Sequence, residues 1–352
     1  MQVGVGLSCL AIVAAACSSS SKSSTNNSST SGGNSSGGGG GGVSLTGAGY
    51  TTATNPSGAK QQGGTVYFAE GPSTPPNYIF PMDSPQVCGV NNISQLQAVI
   101  YRPLFWYGDN YTPTVDFSRS IGQKPTFSAD GKTVTVKLNS FKWSDGEQVT
   151  SRDIELWVNL YKADPASNYC GYVPGFFPDN VVSMSAPDPQ TVVFTLDKAY
   201  NQEWFLYNEL SQITPLPLAW DRTSLSAPAP TSDTGNLPDS TKAGAEQVYK
   251  FLDAQSKAVA TWGSSPLWSV VDGPFKLQSM TNNGEVTLVP NPDYSGSPKP
   301  TIDKLVEVPF TDSTAIFNQI RSGGPSALTI AGLPSEDAPQ LNSVVSQGYT
   351  DN

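Results

Sequence analysis

The sequence contains no histidine in 352 residues. That absence removes Ser-His-Asp and Cys-His catalysis, and the commonest metal ligand, together. Charge is scarce as well: only 14% of residues are Asp, Glu, Lys or Arg, and no basic block occurs. The formal net charge is −10 and the pI lies near 4.5, so nucleic acid and anionic membrane surfaces would both repel the chain. No nucleic-acid partner is therefore expected. Apolar residues make up 37%, enough to build a core, but the longest apolar or small run, Val3 to Ala16, is too short to span a bilayer as a mature helix.

That run has the length of a signal-peptide core. Ala14-Ala15-Ala16-Cys17 resembles a bacterial lipobox, in which a cysteine after small residues is lipidated and becomes the new N-terminus. The usual leading Leu is replaced by Ala14, and the Met1-Gln2 start carries no Lys or Arg. Residues 1–17 are thus expected to be a lipoprotein signal peptide, with Cys17 as the lipidation site. From Ser18 to about Gln62 the chain is Ser, Gly, Asn and Thr, including the run Gly37 to Gly42. Such a segment buries too little surface to offset the entropy of ordering. Residues 18–62 are expected to be a disordered tether, with an r.m.s. reach of roughly 35–40 Å.

Four cysteines occur, and Cys9 and Cys17 lie in the targeting segment. Cys88 and Cys170 remain in the body, and an even pair in an exported protein is most simply a disulfide, the alternative being two unpaired thiols. Closing a loop of that size stabilises by up to about 4.5 kcal/mol in the chain-entropy model.

Order is expected from about residue 63. Thr65 to Ala69 reads as a strand. Ile93, Leu96, Val99 and Ile100 recur at helical spacing until Pro103 stops the pattern. Phe127 to Leu138 reads as a hairpin turning at Asp130-Gly131. Thr150 and Asp153 have capping-box spacing, and Ile154, Trp157, Val158 and Tyr161 then share a helical face. Two more hairpins are expected, 181–185 with 191–196 around Pro187-Asp188-Pro189, and 275–279 with 286–289 around Asn282-Asn283-Gly284. A helix over 245–259 follows a Ser/Pro-rich loop from about 224 to 240. Hairpins mixed with helices indicate mixed α and β structure rather than a simple doubly wound sheet.

The string Phe141-Lys142-Trp143-Ser144-Asp145-Gly146, followed by Thr150 and Asp153, resembles the family 5 extracellular solute-binding proteins, the oligopeptide and dipeptide binders of ABC importers. Gln148 and Ser151 depart from the usual Pro and Ala. Further stretches agree in order: Tyr101-Arg102-Pro103-Leu104, Ser128 to Thr133, Gly273-Pro274-Phe275-Lys276-Leu277, Asn291-Pro292-Asp293-Tyr294 and Ile302-Asp303-Lys304-Leu305. In the fourth of these, Ser295 replaces the aromatic residue that follows Tyr. Together they cover about 65 to 325. The resemblance implies a mixed α/β, two-lobed fold of the periplasmic-binding-protein type II kind, with ligand held between the lobes. It places the first lobe at 63–305 and only the start of the second at 306–352, so a C-terminally truncated chain is expected.

Members of this family hold a peptide as an added strand, through main-chain groups and roomy, wet pockets. The resemblance places Gln86, Val87 and Cys88 in a ligand-facing loop and Tyr169 on a second, so a Cys88–Cys170 bond would staple the two. The groups that fix a peptide's amino terminus belong to the second lobe. Trp143 and Trp157 fit core packing better than ligand stacking. Asp145-Gly146 fits a turn, and Glu336, Asp337 and Asp351 fit solvated positions. The resemblance implies no enzyme activity and no cofactor. It implies a peptide ligand, permease and ATPase partners of an ABC importer, and a lipid-anchored site on the outer face of the cell membrane. Other readings are the same fold binding a nickel chelate, haem, glutathione or an oligosaccharide, a surface lipoprotein without transport activity, and a wall hydrolase. The last would need paired carboxylates or a nucleophile with its base, and no such constellation stands out.

Overall fold

Alternating Val and Thr residues and short turn sequences set most of the architecture. A computed structural model of the chain describes residues 62–107, 114–232, 236–323 and 327–332, together with 339 and 344. Cys17, most of the 18–62 tether, and Glu336, Asp337 and Asp351 lie outside the described residues.

The strands among the described residues are β1 (Thr65–Ala69), β2 (Trp106–Tyr107), β3 (Val115–Asp116), β4 (Thr126–Phe127), β5 (Thr133–Lys137), β6 (Val181–Asp188), β7 (Thr191–Leu196), β8 (Phe275–Met280), β9 (Val286–Pro290) and β10 (Lys304–Val308). One four-stranded sheet has the order β4-β5-β7-β6 and is antiparallel throughout; β2 and β3 form a small antiparallel ribbon. The other large sheet has the order β1-β10-β9-β8, with β1 parallel to β10 and the remaining pairs antiparallel. The boundary expected between residues 305 and 306 falls inside β10, whose whole length pairs with β1. The main helices are α1 (Ser151–Ala163), α2 (Lys242–Lys257) and α3 (Ser313–Ser322).

The three expected hairpins form, with local differences. β6 runs on to Asp188, which pairs with Thr191, so the turn is Pro189-Gln190 and tighter than expected. The helix expected at 245–259 starts three residues earlier, where the Thr241 hydroxyl accepts from Gly244 N–H at 3.1 Å and caps it. The helix expected around 93–100 is wide over Asn91–Gln97, with π-type turns, and becomes α-helical only over Ala98–Ile100. The wider turn shifts the phase of the pattern. Leu96 and Ile100 are fully buried, whereas Ile93 faces outward.

The capping box of α1 is present, with Thr150 N–H donating to Asp153 Oδ2 at 2.7 Å. Asp153 also accepts from Trp143 Nε1 at 3.2 Å and from Leu218 N–H at 3.0 Å, which ties the Trp-Ser-Asp-Gly turn to the helix start. Gly146 closes that turn at φ +95°, a left-handed conformation that favours glycine. Trp143 and Trp157 are both buried in the core, so the packing role expected of them holds. Beside them Arg152 is paired with Asp221 at 3.0 Å and with Asp239. A second aromatic group joins Phe80, Tyr101, Trp220, Tyr249 and Trp268, with ring centroids 5.0 Å apart for Trp220 and Trp268. A smaller cluster packs Ile316, Phe317 and Ile320 of α3 against Ala69 and Leu328. Among the described residues no helix is long and apolar enough to cross a membrane.

Candidate functional site

Cys88 and Cys170 are joined by a disulfide, with their Cα atoms 6.1 Å apart across a sequence separation of 82. Cys170 N–H also donates to the Asp83 carbonyl at 2.8 Å, so a backbone hydrogen bond ties the same two loops. Gln86 and Cys88 are exposed, while Val87, Tyr169 and Cys170 are half-buried. The five residues singled out from the sequence therefore lie on two adjoining loops.

The shape of the first loop is fixed by a residue not singled out there. Asn92 is buried; its Oδ1 accepts from Asn77 N–H at 2.8 Å and from Tyr78 N–H at 3.0 Å, and its Nδ2 donates to the Val87 carbonyl at 2.7 Å. One amide thus satisfies three main-chain groups and holds Val87 in place. Gln97 has a similar role, donating to the Phe80 carbonyl at 3.2 Å and to Asp83 Oδ1 at 3.2 Å. Burial pushes the Asp83 carboxyl up to about 7, and the Gln97 bond offsets part of that rise. On the second loop the Tyr169 ring packs 5.5 Å from Trp157 and 5.0 Å from Tyr161, in an aromatic cluster anchored on α1.

Apolar side chains flank the disulfide on both loops. Val90 (71% exposed) and Ile93 (41%) follow Cys88, and Val173 (51%) and Phe176 (40%) follow Cys170. Next to them a cavity of about 480 Å³ opens, lined by Pro81, Ile93, Gln97, Tyr101, Trp106 and Tyr107. Its size and mostly apolar lining suit a small molecule or a side chain. Such a surface offers apolar contact with a few polar groups. Among the described residues no three or more Cys, Asp or Glu are grouped to hold a metal ion.

The sequence carried a faint signal for Asn92, since Asn favours helix starts. It carried none for the flanking apolar residues, because exposure on a loop is set by the surrounding packing; only for Ile93 do the wide turns over Asn91–Gln97 decide it.

Residues 120–349 match the family model for bacterial extracellular solute-binding proteins, family 5 (middle region). A Brucella ovis protein whose name marks it as an inferred ABC transporter peptide-binding protein is 29% identical over 224 residues, 63% of this chain and 34% of its own length. The chain thus spans about a third of the length of such curated relatives. Among solved structures, the Haemophilus influenzae OppA complex with the peptide RPPGFSPFR superposes with a TM-score of 0.58 at 18% identity, covering 81% of this chain and 49% of that one. The periplasmic EDTA-binding protein EppA superposes with a TM-score of 0.61 at 18% identity, covering 85% and 49%. The mixed α/β fold is accordingly that of two-lobed binding proteins. With the family model matched along most of the described body, this chain belongs to the bacterial extracellular solute-binding proteins of family 5.

Proposed function

We propose that this chain captures peptides outside the cytoplasm and delivers them to the permease of an ABC importer, with no catalytic step. The observation that carries this reading is the pair of loops around Cys88 and Cys170, crosslinked, backed by buried amides and flanked by exposed apolar side chains. Gln86, Val87, Cys88 and Tyr169 would then face the ligand. A crosslinked loop loses little freedom when it binds, so main-chain hydrogen bonds to an extended peptide are retained as affinity. The peptide-binding names of the relatives support the same ligand class. In this reading the body from residue 63 through β10 forms the first lobe, the residues after it begin the second, and Cys17 carries the lipid that keeps the protein at the outer face of the membrane.

A second solute class has a specific observation in its favour, the fold likeness to an EDTA-binding protein. Thermal unfolding of the chain with a mixed tri- to pentapeptide pool, and separately with metal–EDTA and with oligosaccharides, tests both. The peptide reading expects a Tm that rises with peptide concentration and not with the others. A rise with the chelate alone would overturn it in favour of the second class.

A further inference from the structure

A second cavity, of about 510 Å³, is lined by Arg102, Arg119 and Lys299 together with the rings of Trp106, Phe275 and Tyr294. No Asp or Glu is among its lining residues, in a chain that carries 29 acidic against 19 basic side chains. Arg102 is 1% exposed, and its guanidinium lies 4.0 Å from the Phe141 ring and 5.0 Å from the Tyr294 ring. Its Nη1 donates to the Arg119 carbonyl, while Nε and Nη2 find no partner among the described residues. The buried carboxylate of Asp272 accepts from the Arg102 main-chain N–H at 2.9 Å and not from the guanidinium. The guanidinium charge offsets part of the burial-driven rise of the Asp272 carboxyl without a hydrogen bond to it. Burying a cation with two donors unpartnered is costly, and an anion brought alongside would offset that cost. Lys299, an exposed residue, sits 5.1 Å from the Tyr294 ring at the mouth of the cavity. Arg119 is already paired with Asp116 at 3.6 Å, so the charge offered to an anion here is that of Arg102 and Lys299, beside the flat apolar walls of three aromatic rings.

We infer that this cavity is a binding site for a small aromatic carboxylate, separate from the disulfide-bearing face. The ring lies among Tyr294, Phe275 and Trp106, and the carboxylate faces Lys299 on the side of the buried Arg102 guanidinium. The test titrates the full chain with benzoate, and separately with inorganic phosphate, by calorimetry. Benzoate is expected to bind more tightly than phosphate. Lys299→Glu, at an exposed position, should weaken benzoate by roughly five- to ten-fold, since losing one exposed charge pair changes affinity by up to about five-fold and the reversed charge adds repulsion. Lys250→Gln on α2 should leave binding unchanged. Saturation-transfer NMR should show benzoate ring protons contacting aromatic protons, with the contact reduced in Tyr294→Leu. Equal binding of phosphate and benzoate, equal affinity in Lys299→Glu, or no binding of benzoate would each overturn the assignment.

Discussion

Glu70 and Glu307 give the protein a pH dependence opposite to that of most carboxylates. In the parallel β1–β10 ladder Phe68 pairs with Glu307, and Glu70 follows two residues later on the same face. Both side chains are buried, and neither Glu70 oxygen nor Glu307 Oε2 has a hydrogen-bond partner among the described residues. Burial, with Glu285 adding negative charge, pushes the Glu70 carboxyl up to about 8; burial, with Glu70 adding to it, does the same for Glu307. Each group therefore holds its proton in the folded chain and releases it in the unfolded chain once the pH passes the ordinary value of 4.5. Their contribution to stability is fully present below that value and is lost as pH rises through about 8. One such group costs about 1.4 kcal/mol per pH unit, or about 4 kcal/mol between pH 5 and 8. Glu307→Gln removes one ionisation, and the burial cost of the amide is the same at both pH values. In urea unfolding followed by tryptophan fluorescence, the loss of stability from pH 5 to 8 should be smaller in Glu307→Gln by about 3–4 kcal/mol. Asp83 and Asp272, each pushed up to about 7 chiefly by burial, leave a residual slope in both proteins. An unchanged slope in the variant would refute the reasoning.

Other outcomes follow from the same structure. Replacing Cys88 and Cys170 by Ser should lower stability by about 2–4.5 kcal/mol, read by urea unfolding of the oxidised chain against the variant. Asn92→Ala leaves three main-chain groups without their partner and should cost about 3 kcal/mol, with faster proteolysis between residues 77 and 90. An ideal Cβ at Gly296 would overlap Arg102 Nη2 and crowd the Tyr294 hydroxyl, so Gly296→Ala should lower stability by about 1–3 kcal/mol in the same assay. Arg152→Ala strips Asp221 and Asp239 of their buried cation and should cost about 3–5 kcal/mol by denaturant unfolding.

Local sequence patterns determine much of this protein. The capping box at Thr150 and Asp153, the Asp145-Gly146 turn and the three hairpins are short-range features, in which residues a few positions apart satisfy one another's hydrogen bonds. The Trp-Ser-Asp-Gly string and its ordered companions pointed to family 5, which the matched family model shows. An even pair of cysteines pointed to the bond that joins the loops at 88 and 170. Tertiary structure alone decided what depends on distant chain segments meeting. Parallel pairing of β1 with β10 sets Glu70 near Glu307, and no local pattern foretells a contact across more than two hundred residues. The three cations and three rings around Tyr294 come together in the same way, from segments near residues 102, 119, 275 and 299. Periodicity records which residues prefer burial, but burial without a partner is a property of the assembled packing. That property gives the two glutamates their raised proton affinity and leaves two donors of the Arg102 guanidinium buried without a hydrogen-bond partner.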